Sequence, residues 1–244
     1  MIRHRQIKKL DPRFVKEKLE TFFIEDRTDQ DLTTLFFVNP NTAVQANLVA
    51  KESLVFAGRE IVQQGFYNCS IKSCKNDGEA LKKGEIISQI AGPIQTILSN
   101  ERVVLNMLQR LSGIASKAKE LVQYTEPKGI QLLDTRKTTP GLREFEKFAV
   151  HIGGGTNHRG NLSESIMIKD NHLIDNINIS EATKEAKQKH LNIDIEIEVD
   201  TREQLEEALN SSATSILLDN FKPNQLKEII AYIRSHPKGG NKYI

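Results

Sequence analysis

The sequence predicts an α/β protein with two domains, and three observations carry this prediction. The chain has 244 residues, of which 38% are hydrophobic and 27% are charged, as in ordinary globular proteins. Strand-like and helical segments alternate after residue 129, which is typical of parallel strands joined by helices. Before that point, strands and helices mix without a βαβ repeat. We therefore predict one domain over residues 1–128 and a second over 129–244, divided at Pro127-Lys128-Gly129.

Composition excludes several classes of protein. The formal net charge of +2 leaves no large basic excess of the kind that nucleic-acid binders carry. No apolar run approaches the ~20 residues that cross a bilayer, and no apolar stretch of a secretory signal follows the basic N-terminus. Cys69 and Cys74 are too few for a disulfide scaffold. We predict a cytoplasmic protein with no nucleic-acid or membrane partner.

The first domain contains strong local signals. Asp11-Pro12 is a favourable helix start, because aspartate caps and proline fits the first helical position. The polar loop EDRTDQDLTT follows this helix. The alternation over residues 43–50 predicts a half-buried strand, and 84–91 predicts another. A long helix is predicted over 96–123 from its broad apolar stripe, with Arg102 and Arg110 off the centre of that stripe.

The second domain has four predicted strands. They are Ile130–Asp134, Ile166–Asp170, Ile193–Asp200 and Ser215–Asp219. A helix is predicted to start at Thr139-Pro140. A capping box is predicted for Thr201 with Gln204. A further strand is predicted to begin with Lys242-Tyr243-Ile244. A closed eight-stranded barrel needs about 250 residues by itself, so this domain is predicted to be unfinished.

Cationic residues are concentrated between Leu133 and His172. These residues are Arg136, Lys137, Arg143, His158, Arg159, Lys169 and His172. Such a cluster at strand ends, without matching acids beside it, repels itself unless an anion lies among its members. In parallel sheets the chemistry gathers at the carboxyl ends of strands. We predict a bound polyanionic small molecule, the alternative being a solvated basic loop.

Three further features have two interpretations each. The three consecutive glycines, Gly153, Gly154 and Gly155, either allow a ligand to approach the backbone closely or form a flexible connector. Lys169 forms an ion pair or is a Schiff-base nucleophile, and we favour the ion pair. Glu198 and Asp219 end successive strands and could hold Mg²⁺ with substrate phosphates, or form structural salt bridges. Glu196 shares a strand face with Glu198, so the sequence discriminates poorly between them.

Five motifs in order, DTRKTTPGLR, GGGTNHR, SIMIKDNH, IEIEVD and ILLDNF, resemble quinolinate phosphoribosyltransferase, also called carboxylating nicotinate-nucleotide pyrophosphorylase. SNERVVLNMLQRLSGIASKA resembles the long helix of that family, and EDRTDQDLTT its N-terminal acidic loop. The resemblance covers nearly the whole chain. One departure is Gln30, where the family usually has glycine. The other is the end of the chain, because family members continue with two glycine-containing strand ends that bind phosphate.

The resemblance implies an N-terminal α/β sandwich domain and an incomplete, truncated α/β barrel. It implies a reaction of quinolinate with phosphoribosyl pyrophosphate that gives nicotinate mononucleotide, pyrophosphate and CO₂ with Mg²⁺, a step of NAD biosynthesis. It assigns the quinolinate carboxylates to Arg136, Lys137, His158, Arg159 and Lys169. Arg102 would reach into the neighbour's site across a homodimer or a higher homo-oligomer. Lys137, Glu198 and Asp219 are the implied catalytic residues, and Glu198 and Asp219 the implied metal ligands.

Two other interpretations stay open at this stage. The unfinished barrel also fits a catalytically impaired fragment that acts only as an oligomerisation or ligand-binding partner. A pyrophosphorylase-like family linked to molybdate uptake shares part of the motif series. Lys169-Asp170-Asn171-His172 matches the quinolinate enzymes better.

Overall fold

The structure is a computed structural model that describes residues 4–172, 178–190 and 193–244. By their contacts these residues form two compact units, one of Arg5–His158 and one mainly of Arg159–Ile244. The predicted mixed α/β class is confirmed, because both units combine helices with sheets. The division of the chain into domains at residue 128 stays a prediction.

The first unit begins with α1, and its start is as predicted. The side chain of Asp11 accepts hydrogen bonds from the N–H groups of Arg13 and Phe14 at 2.8 and 3.1 Å, and Pro12 is the first helical residue. The helices of this unit are α1 (Pro12–Asp26), α2 (Leu32–Phe37), α3 (Arg59–Gly65), α4 (Ile94–Thr125) and α5 (Arg143–Ile152). Its strands are β1 (Ala43–Val49), β2 (Leu54–Val55), β3 (Ser70–Cys74), β4 (Ala80–Leu81) and β5 (Ile86–Pro93).

All strand pairs of these five strands are antiparallel. β5 lies between β1 and β3, and β2 pairs with β4. The predicted strand over 43–50 is confirmed, and the one over 84–91 is displaced to Ile86–Pro93. Antiparallel pairing agrees with the absence of a βαβ pattern in this part of the sequence.

The core of the first unit forms around α4, which extends the predicted helix by two residues at each end. Its apolar stripe packs with α1, α3, α5 and β5 in one cluster of buried side chains. Cys69 and Cys74 are partly buried against this cluster, as minor packing residues. Within the described part of the chain, no helix is both long and apolar enough to cross a membrane.

The second unit is a parallel sheet covered by helices. Its strands are β6 (Ile166–Ile168), β7 (Ile195–Val199) and β8 (Ser215–Leu218), in the order β6-β7-β8, and its helices are α6 (Ile179–Lys189), α7 (Arg202–Asn210) and α8 (Pro223–Ser235). Ile195, Ile197 and Val199 lie on the face that packs against the helices. Glu196 and Glu198 therefore lie on the opposite face, because side chains alternate along a strand.

Three predictions for the region after α4 were wrong. The segment 130–134 forms only an isolated parallel bridge from Leu133 to Thr156. α5 begins at Arg143 and not at Thr139-Pro140, because Gly141 has a φ of +82°, which a right-handed helix does not allow. The segment Lys242-Tyr243-Ile244, predicted as a further strand, likewise forms only an isolated parallel bridge, from Ser215 to Tyr243.

Candidate functional site

The DTRKTT loop, residues 134–139, begins at Asp134 directly after the bridge residue Leu133. The carboxylate of Asp134 is buried and accepts three hydrogen bonds. Lys147 Nζ donates to Oδ1 at 2.5 Å, His158 N donates to Oδ1 at 2.8 Å, and Asn157 Nδ2 donates to Oδ2 at 2.7 Å. Asp134 thus ties the start of this loop to α5 and to the segment 156–158.

Lys147 and Asp134 form a buried ion pair. Their side chains are only 2% and 5% exposed. A buried pair is tolerated only when further hydrogen bonds satisfy the charged groups. Lys147 Nζ also donates to the carbonyl of His158 at 2.9 Å, and Asn157 Nδ2 donates to the carbonyl of Lys147 at 2.8 Å. The network fixes the backbone of His158, which is itself 8% exposed.

The other end of the DTRKTT loop is held by Glu146. The N–H of Thr139 donates to Glu146 Oε2 at 3.2 Å. Arg110 on α4 donates from Nε to Glu146 Oε1 at 2.7 Å and from its terminal nitrogen to the Thr139 hydroxyl at 2.5 Å. α4, α5 and the loop therefore meet at one ion pair.

Arg136 and Lys137 lie between these two anchors. Lys137 is exposed, and its N–H donates to the Thr135 hydroxyl at 3.0 Å. The Nε atom of Arg136 is buried, and no acceptor among the described residues lies within hydrogen-bonding distance of it. An unpaired buried donor is costly, whereas a guanidinium fork matches a carboxylate with two parallel hydrogen bonds. A carboxylate or another anion would satisfy this donor.

The three glycines after α5 are explained by packing. A Cβ atom on Gly153 would lie 2.4 Å from the carbonyl oxygen of Ala115 on α4, and Gly154 has a φ of +95°. The close approach predicted for a ligand is thus made by α4 itself. Burial, with a smaller contribution from Lys8, lowers the pKa of the neighbouring His151.

We expect Gly153→Ala to lower the free energy of unfolding by about 1–3 kcal/mol, because a backbone carbonyl blocks the added methyl group. Gly113→Ala is the matched control, since the same added methyl group meets open space on α4. That control should gain about 0.5–1 kcal/mol from helix propensity. Urea denaturation measures both changes, and equal stabilities would contradict the steric explanation.

In the second unit, Lys169, Glu198 and Asp219 lie at the carboxyl ends of the strands. Lys169 Nζ forms an ion pair with Glu198, so the favoured interpretation of Lys169 is confirmed. Asp219 directly follows β8, and its N–H donates to the carbonyl of Val199 at 2.9 Å. Arg159 is not at such an end: it is 7% exposed and donates from Nη1 to the carbonyl of Ser165, just before the amino end of β6, at 2.9 Å.

The side-chain contacts also distinguish the two glutamates of β7, which the sequence did not. Glu198 contacts Lys169, whereas Glu196 accepts a hydrogen bond from the Ser215 hydroxyl at 3.2 Å. The backbone N–H of Lys169 donates to Nδ1 of His172 at 2.9 Å, which closes the turn after β6. Glu198 is thus the glutamate placed beside the predicted lysine.

The premise that the clustered cations lack matching acids was wrong for Lys169. Lys169 pairs with Glu198. Lys147 and Arg110, which the predicted cluster did not include, pair with Asp134 and Glu146. Each acid lies 13 to 36 residues away in the sequence from the cation with which it pairs. Anion binding is supported instead by Arg136, whose buried Nε has no acceptor in the described residues.

Arg102 is exposed on α4, and α2 lies beside the same stretch of that helix. Ser99, one turn before Arg102, donates from its hydroxyl to Asp31 Oδ2 at 3.0 Å. Asp31 caps α2, and hydrogen bonds from Thr34 hold the pKa of its carboxyl below the ordinary value. The acidic loop and Arg102 therefore belong to one surface of the first unit.

The sequence prediction missed Arg110, Glu146, Lys147 and Asn157. One signal was present, because Glu146-Lys147 interrupts the otherwise apolar run from Phe145 to Val150. The structure buries both charges. Charged residues at such positions are rarely buried unless they are paired.

The described residues contain no group of three or more His, Cys, Asp or Glu side chains that could enclose a metal ion. Mg²⁺ needs fewer protein ligands than three, since it commonly takes one or two carboxylates together with substrate phosphates and water. Glu198 and Asp219, at the ends of adjacent strands, fit that smaller requirement.

These features are typical of the class of α/β proteins that carry basic loops beside the strands of a parallel sheet. The chain matches two family models: the N-terminal domain of quinolinate phosphoribosyl transferase over residues 31–112, and its C-terminal domain over residues 114–240. The chain belongs to the quinolinate phosphoribosyl transferase family.

Individual relatives agree with this assignment. The chain is 42% identical to the probable carboxylating nicotinate-nucleotide pyrophosphorylase of Bacillus subtilis, over 97% of this chain and 82% of that protein. The solved nicotinate-nucleotide pyrophosphorylase of Francisella tularensis is similar with a TM-score of 0.86 and 30% identity, over 94% of this chain and 83% of that one. The solved nicotinate-nucleotide pyrophosphorylase of Ehrlichia chaffeensis is similar with a TM-score of 0.83 and 32% identity, over 90% of this chain and 81% of that one. The predicted truncation is not evident from these coverages.

Proposed function

We propose that this chain transfers a phosphoribosyl group to quinolinate and decarboxylates the product, yielding nicotinate mononucleotide. The relatives named carboxylating nicotinate-nucleotide pyrophosphorylase support this proposal. The observation that carries it is Arg136, which offers a buried donor to an anion from a loop fixed at both ends. The reaction belongs to NAD biosynthesis.

Quinolinate carries two carboxylates, so it suits several cationic donors at once. The family resemblance assigns Arg136, Lys137, His158, Arg159 and Lys169 to this binding. Guanidinium forks match planar carboxylates, and their charge-assisted hydrogen bonds are about twice as strong as neutral ones. These residues would orient the ring nitrogen toward the ribose.

In the proposed reaction, the ring nitrogen forms a bond to C1 of the ribose while the bond from C1 to the pyrophosphate oxygen breaks. The ribosyl centre acquires oxocarbenium character, which nearby carboxylates stabilise as in glycoside hydrolysis. Glu198 and Asp219 would supply these carboxylates, and Lys137 a cation beside the reacting groups. Loss of CO₂ follows: the bond from C2 to its carboxylate breaks, the electron pair stays on C2 as an ylide that the adjacent cationic ring nitrogen stabilises, and a proton from solvent then takes the place of the carboxylate on C2. Positioning and electrostatics therefore dominate.

Mg²⁺ is the proposed cofactor, and it would neutralise the departing pyrophosphate. Glu198 and Asp219 would hold it together with the phosphate oxygens of the substrate. Glu198 would have to share its carboxylate with Lys169, with which it forms an ion pair. A metal ion bound jointly with the substrate agrees with the small number of protein ligands available.

A turnover assay tests the proposed function. The purified chain is incubated with phosphoribosyl pyrophosphate, Mg²⁺ and quinolinate labelled at the 2-carboxylate. Equal amounts of nicotinate mononucleotide, pyrophosphate and labelled CO₂ are expected. Quinolinate binding without any turnover would favour the alternative of a catalytically impaired ligand-binding chain. Turnover of a different pyridine or pyrimidine acceptor alone would contradict quinolinate as the substrate.

We also propose a homodimer. The α2 patch consists of four apolar side chains on α2 that are 52–86% exposed, namely Leu32, Leu35, Phe36 and Phe37. Exposed apolar side chains concentrated on one short helix are typical of protein interfaces. The patch lies beside Arg102 through the contact of Asp31 with Ser99. A second copy seated on it would place Arg102 at the interface, as the resemblance implies.

We expect the wild-type chain to be at least dimeric and Phe36→Ser/Phe37→Ser to be monomeric, because two large apolar contacts are lost. Light scattering with size-exclusion chromatography measures the mass. Tyr67→Ser is the control, since Tyr67 is also 62% exposed but lies outside the α2 patch. A monomeric wild type, or a double variant that stays dimeric, would contradict the proposal.

A cytoplasmic location is part of the same proposal. Cys69 and Cys74 are both free thiols, which suits a reducing compartment. Burial raises the pKa of each thiol, so neither is poised to react.

A further inference from the structure

Two consecutive residues of α5 hold the two ends of the DTRKTT loop. Lys147 donates to Asp134, the first residue of the loop, at 2.5 Å. Glu146 accepts from the N–H of Thr139, the last residue of the loop, at 3.2 Å. One rigid helical turn therefore sets the distance between the ends of the segment that carries Arg136 and Lys137.

The interior of the loop has few restraints of its own. The N–H of Lys137 donates to the Thr135 hydroxyl at 3.0 Å, and the Thr138 hydroxyl donates to the Arg136 carbonyl at 3.5 Å. Both contacts join residues only two positions apart, so they shape the turn. The interior is attached to α5 at Thr138, whose hydroxyl accepts a hydrogen bond from Arg143 Nε at 3.0 Å. The direction of Arg136 thus depends on the attachments of the loop to α5, at Asp134 and Thr139 at its ends and at Thr138 between them.

Packing alone does not account for the two charges. Glu146 is 8% exposed and Lys147 is 1% exposed, on a helix whose Phe145, Phe148 and Ala149 already fill the core. Burying charged groups costs free energy, and apolar residues of similar volume would often be as stable or more stable. What the charges add is a fixed attachment for the loop, including the link through Arg110 to α4.

We propose that Glu146 and Lys147 are positioning residues for the pyridine dicarboxylate, acting through the DTRKTT loop and not by contact with the substrate. The proposal rests on the proposed function above. It makes a selective prediction, because loosening this loop weakens the binding of the dicarboxylate more than that of phosphoribosyl pyrophosphate.

Glu146→Gln tests the proposal on the full chain. Glutamine has the same shape but a single acceptor oxygen, so it cannot accept from both Arg110 and Thr139. We expect KM for quinolinate to rise about tenfold, equivalent to about 1.4 kcal/mol, while KM for phosphoribosyl pyrophosphate stays within about twofold. Glu144→Gln is the matched control on the same helix, since Glu144 pairs with the exposed Arg5 at the surface. It should leave both constants unchanged.

Hydrogen–deuterium exchange of the peptide over 134–142 gives a second measurement that does not need turnover. We expect faster exchange in Glu146→Gln than in Glu144→Gln or the wild type, because the Thr139 N–H loses its acceptor. Equal changes in both KM values, or unchanged exchange, would overturn the proposal. A wild-type chain without turnover would contradict the proposed function, and the exchange experiment would still decide whether Glu146 holds the loop.

Discussion

We expect Arg136→Ala to lower kcat/KM for quinolinate by about 10²- to 10³-fold. Truncating one member of a buried, hydrogen-bonded charge pair between binding partners costs about 2–5 kcal/mol, and each 1.4 kcal/mol is a factor of ten. The guanidinium of Arg136 is arranged for such a pair, since its Nε is buried and lacks an acceptor in the described part of the chain. Steady-state kinetics with quinolinate as the varied substrate measure the loss.

Two further variants make this prediction specific. Arg136→Lys keeps the charge but removes Nε and the planar fork, so it should recover only part of the lost activity. Arg13→Ala is the control, because Arg13 is an exposed arginine on α1. Full activity in Arg136→Lys would show that only the charge matters. Full activity in Arg136→Ala would remove Arg136 from the site.

The second large effect concerns stability. We expect Lys147→Met to lower the free energy of unfolding by about 3–5 kcal/mol, because the carboxylate of Asp134 would stay buried without its cation. The side chains of this pair are 2% and 5% exposed, so solvent cannot replace the lost partner. Urea denaturation followed by circular dichroism measures the change.

Lys16→Met is the matched control for this loss. Lys16 also pairs with an acid, Glu20, but the two side chains are 64% and 58% exposed. Exposed pairs contribute about 0–1 kcal/mol, so the control should change little. The double variant Asp134→Asn/Lys147→Met should recover part of the stability, since it no longer buries a charge. A loss below about 1 kcal/mol in Lys147→Met would contradict the role assigned to the buried pair.

Local signals predicted much of the fold. Asp11-Pro12 marked the start of α1, because capping depends on neighbouring residues alone. Thr201 bonds to the N–H of Gln204 as predicted, although the Gln204 side chain accepts from Asp200 and not from Thr201. The parallel strands β6, β7 and β8 followed from alternation with helices.

The errors arose where distant residues decide the structure. Ile130–Asp134 has the composition of a strand, yet only Leu133 finds a partner, at Thr156. The acids that pair with the cations were also hidden, because Lys169 meets Glu198 only through the pairing of β6 with β7. Pairing partners 29 residues apart follow from strand register, which the sequence does not state.

The site was predicted in part. Arg136 and Lys137 follow the bridge at Leu133, and Lys169 and Glu198 lie beside each other, as expected of residues at strand ends. The roles of Glu146 and Lys147 were not predicted, because a charge within a helix is usually solvated. Their burial depends on the loop that folds back over them.

The central claim is that cationic side chains on these loops bind both carboxylates of quinolinate. Calorimetric titration of the wild-type chain with quinolinate and with nicotinate, which lacks one carboxylate, tests it most directly. Because one charge-assisted pair contributes about 1.5–3 kcal/mol, quinolinate should bind about 10- to 100-fold more tightly than nicotinate. Equal affinities for the two acids would contradict the claim.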